Sequence, residues 1–224
     1  IIPYYQNIQI TAKDENGTDV KTTAFMGVTD VKGGRGVGWI QPTDFFFNTV
    51  WSKGSDQDIR NSGHNIVRDL QVDNPASPAF GQWMVKDGYY KQVDSIRQWF
   101  PLIMKFSRVG NFPEELYQVD ATGNPLMTPF GEHLLINSAN SSYKDEYMFR
   151  LAETYLLLAE ARIQQNNAAG AAEAINVVRK RANASEITAS QATIDFLLDE
   201  RIRELVGEEL RRLTLVRTGK LVER

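Results

Sequence analysis

Along Tyr147-Met148-Phe149-Arg150-Leu151-Ala152-Glu153-Thr154-Tyr155-Leu156-Leu157-Leu158-Ala159-Glu160-Ala161, side chains of one kind recur every three or four residues. Tyr147, Leu151, Tyr155, Leu158 and Arg162 form one stripe, and Met148, Ala152, Leu156 and Ala159 form its neighbour. That period belongs to an α-helix, and two adjacent stripes predict a helix over 145–165 buried on two sides. Asn166-Asn167 ends it. A second helix follows over 168–181, with Ala171, Ala174, Ile175 and Val178 on one face, small enough there for close approach to the first. The connection is short, so the two form an antiparallel αα-hairpin. Its length and alanine-rich texture are those of a tetratricopeptide repeat, a unit that cannot bury both of its faces alone.

Downstream, a helix over 192–217 carries Ile194, Leu197, Leu198, Ile202 and Leu205 inside and Asp199, Glu200, Arg201, Arg203 and Glu204 outside, with Gly207 as a break and Thr218-Gly219 as its end. Upstream the character changes. Residues 1–142 hold 13 of the 16 glycines, all eight prolines and all four tryptophans. The organisation expected is therefore a loop-rich part over 1–142 and a helical part over 143–224, the latter comprising the pair 145–181 and the helix 192–217. The fold class expected is mainly α, a tetratricopeptide-like α/α superhelix with a loop-rich part that contains a small β-hairpin. That hairpin is read from Ile8, Ile10 and Ala12 alternating with polar residues, the turn Asp14-Glu15-Asn16-Gly17, and the β-branched run from Val20. An Asn-Gly pair suits a tight turn with positive φ at both central residues.

Composition removes much familiar chemistry. The 224 residues include no cysteine, which excludes disulfides, thiolate metal sites and cysteine nucleophiles. The two histidines, His64 and His133, are far apart and lie beside no nucleophile-elbow motif. With Lys+Arg 25 against Asp+Glu 28 there is no basic excess to attract nucleic acid. No run is long and apolar enough to span a membrane. The chain starts abruptly at Ile1-Ile2-Pro3, without initiator Met or signal peptide, which reads as a processed or excised piece.

Three features could carry chemistry. Lys32-Gly33-Gly34-Arg35-Gly36-Val37-Gly38-Trp39 has the glycines of a phosphate loop but neither the Gly-Lys-Ser/Thr ending nor a strand–turn–helix setting, so loop flexibility or close backbone packing explains it. Glu200, Glu204 and Glu208 have helical spacing, but Arg201, Arg203, Arg211 and Arg212 interleave them. Arginines of that kind would pair the carboxylates and depress their pKa values, the reverse of what a general acid needs. No catalytic residue, metal ligand or cofactor is expected, and the chain is read as no enzyme.

The third feature is aromatic. A sugar ring offers an apolar C–H face and an edge of hydroxyls, so its site wants a flat aromatic platform beside polar side chains. Trp83, Tyr89 and Tyr90, beside Gly81-Gln82 and Lys86-Asp87-Gly88, together with Trp39, are the candidate ligand-binding residues. Trp51 and Trp99, flanked by apolar neighbours, are expected in the core, as are most of Phe45, Phe46, Phe47 and Val50.

Taken together, these segments resemble the SusD/RagB family of outer-membrane nutrient-binding lipoproteins of Bacteroidetes. The resemblance rests on Arg150 to Ala161, on Ala172 to Ala182 with its Asn176-Val177-Val178-Arg179-Lys180-Arg181, on Asp199 to Leu205 and on Leu215 to Lys220. Gly33 to Thr43 and Asp58-Ile59-Arg60-Asn61 add to it. Glu208 to Leu215 departs from the family pattern, lacking its Gly-His, Trp and Asp, so contacts made by those residues do not carry over. The resemblance implies a helical protein tethered at the cell-surface face of the outer membrane by a lipid anchor outside this chain. It implies, as partners, an oligosaccharide ligand and a SusC-like TonB-dependent transporter, with binding and no cleavage. The alternative is a helical-repeat scaffold that binds peptide or protein partners.

Overall fold

A computed structural model describes the chain except residues 1, 54–56, 94, 108, 110–111, 140–144, 146 and 224. The boundary expected between 142 and 143 and the start of the periodic pattern at Tyr143 lie outside the described residues. The fold is mainly helical with a small β-hairpin. The chain divides into two compact units, one of Ile1–Gln41 with Gly63–Asp145 and one of Pro42–Ser62 with Glu146–Arg224.

In the first unit, β1 (Gln9–Lys13) and β2 (Asp19–Thr23) form an antiparallel hairpin with Gln9 opposite Thr23 and Lys13 opposite Asp19. Ile8, Ile10 and Ala12 point inward and are buried, as strand alternation requires. The turn differs from the expectation. Only Gly17 has positive φ, because Oδ1 of Asp14 accepts the N–H groups of Asn16 and Thr18 and closes a longer loop. Two short ladders complete the strands: β3 (Val28–Thr29) with β6 (Leu134–Leu135), and β4 (Ile66–Val67) with β5 (Leu102–Ile103). Tyr5, Ile8, Ile10, Phe25, Val72, Ala79 and Met84 form the main core of this unit, and Trp99 packs against it.

The glycine-rich stretch serves packing. A Cβ at Gly36 would stand 1.6 Å from the carbonyl oxygen of Pro3, and one at Gly38, where φ is +61°, would stand 2.1 Å from that of Arg97. Only residues without a side chain let these backbones approach so closely.

In the second unit, a π-helical turn Phe45–Thr49 runs into the short helix α1 (Val50–Ser52). It buries Phe46, Phe47, Val50 and Trp51, as their spacing suggested. Helix α2 (Leu151–Gln164) packs on α3 (Ala168–Arg181) and α4 (Ile194–Leu205), and α5 (Arg211–Arg217) follows Gly207. Asn166 turns the chain with positive φ, and the Asn167 side chain caps α3 by accepting the Gly170 N–H. Leu156, Ala159, Ala171, Ala174, Ile175, Val178, Leu197 and Leu205 form the core.

Two expectations about α2 are corrected. Tyr147 to Arg150 are not helical, because Arg150 stays extended and spends its guanidinium on Glu204 and Glu208. Nor is α2 covered on both sides within its unit. Its Leu156 and Ala159 side is buried, while Leu151, Leu157 and Leu158 remain exposed. Among the described residues no helix is long and apolar enough to cross a membrane.

Candidate functional site

The loop that carries three of the four aromatic candidates grows out of a short antiparallel pairing in the first unit. The Val72 N–H donates to Gln82, the Gly81 N–H to Val72 and the Met84 N–H to Leu70, at 2.8–2.9 Å, so Trp83 stands opposite Gln71. Beyond it the chain coils around two carboxylates. Asp69 accepts the N–H groups of Leu70, Val85 and Lys86, and Asp87 accepts that of Trp83 at 2.6 Å. Gly88, in the left-handed region at φ +84°, starts the 3₁₀ turn Tyr89–Gln92. Gln92 then ties the turn to β1 through both its amide atoms and the backbone of Thr11.

Trp83, Tyr89 and Tyr90 are thereby brought onto one loop. The Tyr89 hydroxyl donates to Oε1 of Gln82 at 2.8 Å, and the Tyr90 N–H donates to the Met84 carbonyl. Tyr89 is half-buried, its ring against the core, and partial burial together with the charge of Asp87 pushes its hydroxyl pKa up. Tyr90 is exposed and Trp83 half-buried. Gln82, Lys86, Asp87 and Lys91 supply exposed polar groups around them.

Trp39 is not part of this loop. It is 78% exposed and lies with its ring 6.0 Å from the Arg97 guanidinium, whose other aromatic neighbour is Tyr4 at 5.9 Å. Arg97 is held there by the Val37 carbonyl, which accepts from Nη2 at 2.7 Å.

One aromatic pair escaped the reading of the sequence. Phe80 and Phe130 stack with centroids 5.4 Å apart and planes 6° from parallel, both more than 40% exposed. Each stands at the end of a proline-containing turn and directly before a glycine, in Pro78-Ala79-Phe80-Gly81 and Pro129-Phe130-Gly131. That shared pattern was the available signal. The two loops are joined by Lys32, which is buried and bonds both Asp73, at 2.9 Å, and Glu132.

The acidic helix of the second unit has a different role. The outward face expected for Asp199, Glu200, Arg201, Arg203 and Glu204 is corrected: all five are buried, because arginines from several segments pair with Glu200 and Glu204 and let the charges leave water. Arg60 pairs with both, Arg179 and Arg203 with Glu200, and Arg150 and Arg181 with Glu204. Burial pushes the Glu204 pKa up, but the arginines outweigh it and hold the carboxyl below its ordinary value. The ion pairing expected from the sequence is present, with most partners different from those expected. Arg201 turns instead to Glu209 and Glu153, and Arg211 donates to the Leu198 carbonyl.

The model of the SusD family matches residues 8–223 of this chain. A SusD-like protein P25 of Formosa agariphila is 37% identical over 94 residues, which are 39% of this chain and 18% of that protein. No solved structure matches. Members of the matched family are in general non-catalytic, glycan-binding proteins of nutrient uptake. A match that runs from residue 8, just before β1, to beyond α5 takes in almost the entire sequence, and the chain belongs to the SusD family.

Proposed function

We propose that this chain is part of a cell-surface protein that binds oligosaccharide, without cleaving it, and delivers it to a SusC-like TonB-dependent transporter in the outer membrane. A lipid anchor outside the chain holds the full-length protein there. Residues 1–142 carry the ligand site, and residues 143–224 are scaffold and partner surface, with α2 and α3 as one tetratricopeptide-like repeat. The observation that carries the reading is the Gln82–Gln92 loop, where half-buried Trp83 and exposed Tyr90 stand on one loop with the exposed polar side chains of Gln82, Lys86, Asp87 and Lys91. Rings take the C–H face of a pyranose, and the amide, carboxylate and ammonium groups take its hydroxyls.

The test is calorimetry on the full-length protein against a glycan panel. Trp83→Ala and Tyr90→Ala each lose most of the affinity for whichever glycan binds. Affinity unchanged by both substitutions overturns this assignment of the site.

A second reading has its own observation. Arg217 of α5 grips Glu160 of α2 with two hydrogen bonds of 2.8 and 2.7 Å, and on these two helices Leu151, Leu158, Leu213 and Val216 stay exposed. Apolar patches of this kind mark protein-binding surfaces. On that reading the helical unit docks a peptide or protein, peptides compete where sugars do not, and Leu158→Asp weakens binding more than Trp83→Ala.

A further inference from the structure

The Phe80–Phe130 stack is costly to display. Two phenyl rings, each a large apolar surface, are held over 40% exposed at loop ends that consist otherwise of small and polar residues. Left to themselves such tips would turn the rings inward or let them wander apart. Here three features fix the loops that carry them. The Phe80 loop closes through the Ser77 carbonyl, which accepts the Phe80 N–H at 3.0 Å, and the Gly81–Val72 hydrogen bond follows at once. The Phe130 turn closes through Thr128, whose N–H and carbonyl bond Glu132 and Gly131, and Gly131 takes the positive φ of +80° that the turn needs. Between the loops Lys32, with its side chain 2% exposed, joins Asp73 to Glu132. A desolvated ammonium shared by two carboxylates fixes the spacing of the loops in a way that surface ion pairs do not.

Phe80 is also three residues from Trp83, so their α-carbons are at most about 10 Å apart. We propose that the Phe80–Phe130 stack is a second sugar-stacking position beside the Trp83–Tyr90 loop, so that the site takes an extended run of pyranose units and gains affinity with chain length. The inference rests on the oligosaccharide reading above and adds to it the length of ligand and the residues that read it. The outer ring face of the stack takes the C–H face of one sugar while Trp83 and Tyr90 hold another, and Lys32 acts as a positioning residue that touches no ligand.

The experiment uses the full-length protein and ladders of malto-, cello-, xylo- and manno-oligosaccharides, from disaccharide upward, with affinity read by calorimetry. In the parent protein affinity for the ladder that binds rises by about tenfold or more from short to long members, the equivalent of one good stacking contact. Phe130→Ala removes that rise and leaves the short members bound as before, and Phe130→Tyr restores it. Because Phe130 is exposed, its substitution leaves the fold intact; circular dichroism of the variant confirms that. A length dependence that survives both Phe80→Ala and Phe130→Ala overturns this proposal and leaves the Trp83–Tyr90 site standing. Failure of every ladder to bind overturns the oligosaccharide reading and this proposal with it.

Discussion

Arg60 and Glu204 lie 144 residues apart in sequence, and Nη1 of the one is 3.0 Å from Oε2 of the other. The same guanidinium reaches Asp58 at 2.6 Å and Glu200 at 2.8 Å, so one arginine from the 42–62 segment pairs with three buried carboxylates of its unit. Those acidic groups raise the pKa of Arg60 against the opposing effect of its burial. Removing the cation leaves carboxylates in a place with little water to solvate them.

Arg60→Ala therefore destabilises the second unit by roughly 3–5 kcal/mol, the range for breaking one side of a buried pair. Urea denaturation followed by circular dichroism measures it. A loss under 1 kcal/mol shows the network to be no more than a surface arrangement. Arg60→Lys recovers only part, since an ammonium cannot make the same planar set of contacts.

Acid weakens the same network in a defined window. Because the folded pKa of Glu204 is depressed, its contribution is complete above the unfolded glutamate value of about 4.3 and is lost as pH falls through the lower folded value. Thermal melts from pH 6 downward should hold a plateau and then drop in that acid range, and Glu204→Gln should lower the plateau and soften the drop. A profile of Glu204→Gln parallel to the parent's contradicts the assignment.

Gly36→Ala tests the backbone approach in the first unit. A methyl placed 1.6 Å from the Pro3 carbonyl oxygen forces that segment aside. The expected cost is at least the roughly 1–3 kcal/mol of an overpacked core. Gly63→Ala is the control, since nothing lies within 4 Å of a Cβ there. Equal melting temperatures for the two variants refute the packing account of the glycine-rich stretch.

Asp69→Ala removes the acceptor of three backbone N–H groups in the aromatic loop. The donors can turn to water, so the stability cost is about 1 kcal/mol. Glycan affinity should fall further than that figure, because Trp83 and Tyr90 lose their fixed positions. Proteolytic nicking between residues 83 and 92 reports the loosening directly, and a nicking rate equal to the parent's argues against Asp69 as the organiser.

Lys32→Met exposes how much the Phe80–Phe130 arrangement depends on the ion pair beneath it. Asp73, fully buried, keeps one N–H donor from Met26 and loses its cation. A destabilisation of roughly 3–5 kcal/mol follows. The double variant Lys32→Met with Asp73→Asn should recover part of it, and a double variant less stable than the single one rejects the pairing.

Local rules decided a good part of this protein before any coordinates. The 3.6-residue period made α2, α3 and α4 legible, alternation made the hairpin legible, and Trp83, Tyr89 and Tyr90 could be grouped because they are close in sequence. Each depends on neighbours within a few residues, where spacing alone determines which side chains share a face.

The other features depend on long-range contacts. Nothing near Glu204 names Arg60 or Arg181 as its partner, and Arg201 and Arg211, its neighbours in sequence, turn elsewhere. Trp39 reads like Trp83, yet it belongs with Tyr4 and Arg97, because Gly36 and Gly38 let the 36–39 backbone run against those segments. Phe80 and Phe130 are 50 positions apart by number and meet where Lys32 pairs with both of their loops. Sequence by itself determined the helices, the hairpin and the family, which follow from short-range periodicity and ordered motifs. Tertiary structure alone decided which charges pair and which aromatic rings share a surface, since both are set by chain segments that the fold brings together from far apart.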